Sequence, residues 1–183
     1  MIGAPTEILM SKTQDQSLLL ALLDSWDRNN TILVNLLRIL PKDSLRARAT
    51  PDSPTVIEMF NHIHYVRLIF ISEDAPELSP PLPVTWTEED DRDRVAQMLE
   101  ESGRAVRDIV RNRIETGKDM QLHYDHPILF VQHMIWHEGY HHGQVKVALK
   151  VMGVPIANEQ AGPVTWRVWM DKAKLVDDGS KGL

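Results

Sequence analysis

The segment from His137 to Gln144 reads HEGYHHGQ and contains two histidines, His137 and His141, spaced four residues apart. On a helix, residues at this spacing lie on the same face, so the two imidazoles can bind one metal ion. The chain has no cysteine, so any further protein ligand must be a histidine or a carboxylate. The segment matches the H-E-x-x-H motif of zinc proteases, with Glu138 as general base, and also an H-x-x-x-H-x-G-Q pattern.

The protease interpretation lacks its supporting residues. The metzincin extension requires a glycine at position 144 and a histidine at position 147, where the chain has Gln144 and Val147. The other zincin type takes a glutamate from a later helix. The nearest candidate, Glu159, follows Gly153 and Pro155 in an irregular segment. These proteases also use an upstream β-sheet, whereas the sequence before this motif is helical in pattern.

Length and charge narrow the possible functions. A chain of 183 residues with 43% hydrophobic and 25% charged residues is typical of one globular domain, here spanning residues 1–183. The net charge of -6 argues against nucleic-acid binding, and no apolar run is long enough to span a membrane. The N-terminal sequence has no signal-peptide features, so we expect a cytoplasmic protein that acts on a small molecule.

Four long segments have helical periodicity, and none alternates as a strand does. The predicted helices extend from about Gln14 to Leu40, from a start at Ser53 or Pro54 to about Ser72, from Thr87 to about Thr116, and from about Pro127 to a stop at Gly153. Trp166 and Trp169, in the tail, are spaced to pack one short helix onto the body. The sequence therefore predicts an all-α protein with a short C-terminal helical tail.

The connection between the second and third helices is rich in proline and reads EDAPELSPPLPVTW. At ~3.1 Å per residue, about ten extended residues span a helix ~30 Å long. The two helices can therefore run parallel, and the shorter connection before the fourth helix suits an antiparallel return. We expect a four-helix bundle with one long crossover.

The apolar stripe of the fourth helix predicts which histidines point into the bundle. This stripe contains Phe130, Met134, Val145, Ala148, Leu149 and Met152. His141 falls inside it and His137 lies on its flank, while His133 is farther round and His142 faces away. Two inward imidazoles one turn apart favour a metal site, although histidines that only fill the core are the alternative.

The second helix offers a third ligand. His62 lies at the edge of its buried face, and His64 lies outside that face, so His62 is the predicted ligand. Glu58, one turn before His62, is a candidate extra ligand or hydrogen-bond acceptor, or an ordinary exposed glutamate.

Two segments carry a resemblance to a known family. HMIWHEGYHHGQVKVALKVMGVP resembles the fourth helix of the DinB-like (DinB/YfiT) metal-binding proteins, and SPTVIEMFNHIHYVRLI resembles their second helix. The resemblance implies a four-helix bundle, often a homodimer, that binds zinc, nickel or a similar divalent ion. Transferred by motif, the ligands are His62, His137 and His141. The family name implies no DNA binding.

Some DinB-like proteins are transferases or isomerases that depend on a low-molecular-weight thiol such as bacillithiol, mycothiol or glutathione. Where they often have arginine, this chain has His142, which would make binding of an anionic cosubstrate pH-sensitive or absent. Gln144 and His142 are the candidate cofactor-binding residues. The candidate acid–base residues are Glu58, Tyr140 and His133, each with an alternative structural role.

Three functions remain open at this point. The first is a metal-dependent enzyme of the thiol-dependent S-transferase or hydrolase type. The second is a non-catalytic metal- or ligand-binding bundle with a role in stress response. The third is the zinc protease, which predicts that Glu138 is essential and His62 dispensable.

Two glycines in the fourth helix, Gly139 and Gly143, each cost ~1 kcal/mol of helix stability relative to alanine. They lie four residues apart, away from the metal-binding stripe. We hypothesise that the tail with Trp166 and Trp169, or a dimer partner, packs closely there; the alternative is that they have no partner.

Overall fold

The computed structural model describes residues 5–83 and 88–171, with side chains from residue 15 onward. The long helices are α1 (Pro5–Ile39), α2 (Val56–Asp74), α3 (Arg92–Thr116) and α4 (Pro127–Val151), and a short α5 (Asn158–Ala161) follows. Single 3-10 turns occur at Lys42–Arg46, Pro76–Leu78, Gly162–Val164 and Trp166–Trp169. The described residues contain no strand, which confirms the all-α prediction. None of the helices described is long and apolar enough to cross a membrane.

The start of α4 at Pro127 agrees with the prediction, whereas the other three starts differ, and α1 begins at Pro5 instead of about Gln14. Thr55, rather than Ser53, caps α2, in a capping box in which the Glu58 side chain accepts from the Thr55 N–H. Asp91 caps α3 by accepting from two backbone N–H groups of the first turn. The predicted start at Thr87 is therefore too early, and Thr87 itself lies outside the described residues. In both helices the cap side chain accepts from backbone N–H groups of the first turn, and in α2 the Glu58 side chain completes the cap.

The helix ends fall close to the predicted positions. α3 ends before Gly117, which has φ of 63°, and α4 ends just before Gly153, which has φ of 73°. Both angles lie in the left-handed region that glycine adopts without a steric penalty, so each glycine ends its helix.

Contacts between helices give the topology. At one end of α2, Asn61 donates to the Glu89 carbonyl, just before α3 begins, and at the other end Arg113 near the end of α3 donates to the Asp74 carbonyl. The helices α2 and α3 therefore run parallel, as the long connection predicts. Within that connection, residues 80–83 lie over the groove between α2 and α3.

The bundle interior consists of two hydrophobic clusters with polar residues between them. One cluster includes Leu37, Phe60, Leu99 and Leu149, and the other includes Trp26, Ile71, Val106 and Phe130. Between them each long helix contributes polar side chains, and we call this set the polar layer: Asn29, Asn30, Arg67, Ser102 and Glu138.

An ion pair between α2 and α4 forms the centre of the polar layer. Arg67 and Glu138 are both fully buried, and Nε and Nη2 of Arg67 donate to the two Glu138 oxygens at 2.6 and 2.9 Å. Asn29 donates to the same carboxylate at 2.5 Å, and Nη1 of Arg67 donates to Asn30 at 2.8 Å. Buried charges persist only with such partners, so this pair fixes α2 against α4.

Gly103 on α3 makes room for the polar layer. A Cβ atom at this position would lie 2.6 Å from Cγ of Asn30, too close for any side chain. The Gly103 carbonyl also accepts from the indole of Trp26 at 2.7 Å. The absence of a side chain therefore lets α1 and α3 approach at the level of the layer.

The C-terminal tail packs on α1. Arg28 donates to the Val168 carbonyl, and Asn35 donates to the Val164 carbonyl at 3.1 Å. A Cβ atom at Gly139 or at Gly143 would meet nothing within 4 Å among the described residues. The hypothesis that the tail packs on these glycines is therefore wrong, and the version with a dimer partner stays a prediction.

Candidate metal centre

Three imidazoles from two helices meet beside the polar layer. His62 projects from α2, and His137 and His141 project from α4 one turn apart. Because α2 and α4 run antiparallel, His62 faces both histidines of α4. The ion pair between Arg67 and Glu138 lies on the same two helices, so the contact that fixes the helices also fixes the three imidazoles.

The ring nitrogens lie at metal-binding spacing. Nε2 of His137 is 3.3 Å from Nε2 of His62 and 3.1 Å from Nε2 of His141. One nitrogen from each of the three rings lies within 4.8 Å of the others, and we call this set the three-imidazole group. Among the described residues, this is the one cluster of three or more His, Asp or Glu side chains whose ligand atoms lie close enough together to hold a metal ion.

The donor set fits a tetrahedral divalent ion. Zinc–nitrogen bonds of ~2.0–2.1 Å at tetrahedral angles place ligand nitrogens roughly 3.3 Å apart. Both Nε2 separations from His137 are close to this value. The same distances also suit N–H···N hydrogen bonds between neutral imidazoles, which is the alternative to a metal.

The imidazoles are held in the neutral form that binds metals. Burial, together with neighbouring His141 and His62, lowers the pKa of His137 to about 4. Burial also lowers the pKa of His62 and of His141. At neutral pH all three rings therefore present lone pairs without having to lose a proton.

Gln144 orients one of the rings. Its Oε1 lies 2.8 Å from Nδ1 of His141, so the amide oxygen accepts the Nδ1 proton and leaves the Nε2 lone pair free. Nδ1 of His137 is buried and has no hydrogen-bond partner among the described residues. Gln144, predicted as a cofactor-binding candidate, thus contacts a member of the three-imidazole group.

Two of the candidate acid–base residues lie at the edge of this group. The ring of Tyr140 is 5.4 Å from that of His141, and its side chain is exposed and stacked on Trp136. His133 lies one turn before His137 on α4, and the centres of the two rings are 6.4 Å apart. Its Nδ1 is 2.7 Å from the Tyr124 hydroxyl, so its orientation is set by this contact.

The structure gives Glu58 a role in the fold. Its carboxylate accepts from the Thr55 N–H at 2.6 Å, and this hydrogen bond is the main cause of its lowered pKa. Nη2 of Arg48 lies 3.8 Å from Oε1 of Glu58. Glu58 is thus engaged at the start of α2 and does not belong to the three-imidazole group.

Glu138 is also engaged in the fold. Both of its oxygens accept hydrogen bonds in the polar layer, from Arg67 and Asn29, and its side chain is fully buried. A general base needs a carboxylate that reaches the substrate. This arrangement argues against the H-E-x-x-H protease interpretation.

His64 on α2 and His142 on α4 do not belong to the three-imidazole group. Nδ1 of His64 lies 2.9 Å from the Met98 carbonyl on α3, and the side chain is half-buried. The expectation that His64 lies at the surface is therefore wrong. Nε2 of His142 is buried, and burial lowers the pKa of this ring. A neutral imidazole is a poor substitute for arginine at an anion site.

Sequence reasoning missed the role of Arg67. The residue lies four positions after Ile63 and four before Ile71, both buried, so it occupies the inward face of α2. A charged residue on an apolar stripe predicts a buried partner of opposite charge. Glu138, set aside as a protease residue, is that partner.

The fold and the site define a class: a helical bundle with a parallel α2–α3 pair and a cluster of three histidines between α2 and α4. Residues 10–162 match the family model described as the DinB family, which covers more than half of the chain. The protein therefore belongs to the DinB family, as the two helical segments predict. No curated protein and no solved structure matches the chain.

Proposed function

We propose that this protein binds one divalent metal ion, zinc or nickel, through His62, His137 and His141. The observation that carries the proposal is the convergence of three neutral imidazoles at 3.1 and 3.3 Å between Nε2 atoms. Chelation also explains why these rings are close together, since neutral core histidines gain little from one another. The metal association of the family, as the resemblance implies, supports the same conclusion.

We further propose that the site is catalytic, of the thiol-dependent S-transferase or hydrolase type. A divalent ion held by the three imidazoles would supply a Lewis acid able to bind a small-molecule substrate or a thiol cosubstrate. The rings are half-buried, and the exposed Tyr140 lies beside His141, so a small molecule can approach from this side. Of the candidate acid–base residues, we propose that Tyr140 and His133 exchange protons with it.

The first experiment is the metal content of untagged protein, after purification and after reconstitution with zinc or nickel. We expect one equivalent in the wild type, and its loss in His62→Ala and in His137→Ala. His64→Gln is the matched control, because this residue lies on the same helix but contacts the Met98 carbonyl. Thermal unfolding with and without metal provides a second readout, since an ion that binds only the folded state raises Tm.

Other outcomes are equally informative. Metal retained in His62→Ala but lost in His137→Ala would contradict the site across α2 and α4 and would favour the protease motif. No metal in any variant after reconstitution would show that the histidines only fill the core. Metal binding without exchange of a coordinated thiol or substrate would favour a non-catalytic, metal- or ligand-binding bundle.

We also propose a homodimer, formed through apolar side chains exposed on the first half of α4, where Leu129 is 49% and Trp136 69% accessible. This part of the helix precedes Tyr140, the residue beside which a small molecule approaches. Sedimentation of the wild type and of Trp136→Arg tests this, and we expect only the variant to be monomeric. A cytoplasmic location stays a prediction.

A further inference from the structure

A cavity of about 380 Å³ lies beside the three-imidazole group, between α4 and the segment that leads into α2. We call it the apolar cavity. It is lined by Ala49, Ser53, Pro54, Met59, Tyr140, Gly143, Gln144 and Val147. Its volume lies within the range of roughly 300–1,000 Å³ that is usual for small-molecule sites.

Two side chains connect the cavity to the three-imidazole group. Gln144 lines the cavity, and its Oε1 lies 2.8 Å from Nδ1 of His141. Tyr140 lines it too, and its ring centre is 5.4 Å from that of His141. A molecule in the cavity would therefore contact the two side chains that border His141.

The lining selects for an uncharged group. The residues that form it carry no charged side chain, and the polar ones are Ser53, Tyr140 and Gln144. Anionic cosubstrates need a cation or a cluster of N–H donors. The lining instead favours an alkyl or aryl group that leaves water on binding.

Gly143 keeps the cavity open. A Cβ atom there would have no atom within 4 Å, so the glycine is not required by packing among the described residues. Glycine costs a helix ~1 kcal/mol relative to alanine. The space in front of Gly143 is part of the cavity.

We propose that the apolar cavity binds the alkyl or aryl portion of a small substrate whose thiol, or similar soft donor, reaches the three-imidazole group. This inference rests on the proposed metal site and adds the substrate class to it: a small uncharged molecule with one apolar end and one metal-binding end. The apolar end provides affinity, and the donor end is positioned by the imidazoles.

The test uses the zinc-loaded protein and a series of linear thiols, from ethanethiol to hexanethiol. Binding should tighten by about three- to fourfold for each added methylene until the cavity is full. Gly143→Met should remove this dependence on chain length while ethanethiol still binds. Gly139→Met is the matched control, since it lies one turn earlier, has equally open space and does not line the cavity. Equal affinity for all chain lengths in the wild type would overturn the proposal.

A second arm separates the cavity from the metal. Hexan-1-ol is added to metal-free protein, and the methyl signal of Met59, a buried residue of the cavity wall, is followed by NMR. Its assignment comes from Met59→Leu. A saturable shift, lost in Gly143→Met and kept in Gly139→Met, supports the cavity even if no metal binds. If hexan-1-ol caused no shift in the wild type, the inference would be overturned. It would also be overturned if Gly143→Met changed the sedimentation of the protein and Gly139→Met did not, because the cavity would then be a contact between two copies of the chain.

Discussion

Two polar clusters join α2 to α4 within a few residues of each other, and they differ in how their hydrogen-bonding groups are satisfied. In the polar layer, Arg67 and Glu138 are fully buried and every oxygen of the carboxylate has a donor. In the three-imidazole group, the rings of His62, His137 and His141 are half-buried and their Nε2 atoms converge on one another. Sequence neighbours on α4, Glu138 and His137, thus belong to different clusters.

The difference separates fold from site. A buried ion pair with complete partners holds its helices in one register, because any other register would leave a charge without compensation. Neutral imidazoles that face one another contribute little to stability without an ion. The polar layer is therefore expected to dominate stability, and the three-imidazole group to dominate metal affinity.

The largest effect is expected from Glu138→Gln. The substitution leaves the Arg67 guanidinium buried without a counter-charge, so the free energy of unfolding should fall by ~3–5 kcal/mol. Urea denaturation of the metal-free protein measures this. If Glu138 were instead a general base beside the metal, the same variant would keep its stability and lose only activity.

The double variant Arg67→Met/Glu138→Leu is the control for this prediction. It removes both charges and keeps side chains of similar volume, so it should recover much of the stability that Glu138→Gln loses. A double variant as unstable as Glu138→Gln would show that packing rather than the uncompensated charge determines the loss.

A smaller effect, confined to metal affinity, is expected from Gln144→Ala. The amide oxygen of Gln144 fixes the tautomer of His141, and loss of such a contact weakens metal binding by ~10–100-fold. The free energy of unfolding of the metal-free protein should change by less than ~1 kcal/mol, because Gln144 is half-buried. Competition with a chelator measures the affinity.

Gln132→Ala is the matched control, since Gln132 is an exposed glutamine of the same helix. Unchanged metal affinity in Gln144→Ala would mean that the glutamine belongs only to the apolar cavity. A large loss of stability in the metal-free variant would place it in the fold, together with the polar layer.

The sequence predicted the elements that depend on local patterns. Periodicity located the four helices, the Pro-rich connection predicted that α2 and α3 are parallel, and helix faces brought His62 towards His137 and His141. It failed to recognise the pairing of Arg67 with Glu138, because each residue was considered apart from its charged partner. Arg67 and Glu138 are 71 residues apart, and only the packed bundle shows that they pair.

The sequence offers two possible cap residues before α2, which explains why its predicted start was wrong. Ser53 and Thr55 are both suitable cap residues by type. Only Thr55 has a glutamate three residues later, which completes the capping box. The same glutamate, Glu58, was a candidate ligand because it lies one turn before His62, a spacing that fits either role.

The smallest effect is expected from Glu58→Gln, which tests whether this carboxylate belongs with the fold or with the site. Glutamine keeps an oxygen for the Thr55 N–H, so the free energy of unfolding at pH 7 should fall by only a few tenths of a kcal/mol and by no more than ~1 kcal/mol, with no change in metal content.

The pKa of Glu58 is lowered in the folded protein, first by the hydrogen bond from Thr55. Its charge therefore contributes stability that is fully present above the ordinary pKa of 4.5 and is lost as the pH falls through the lower folded value. The difference in stability between wild type and Glu58→Gln should shrink over that range in acid denaturation series. Loss of metal in this variant at unchanged stability would instead assign Glu58 to the three-imidazole group.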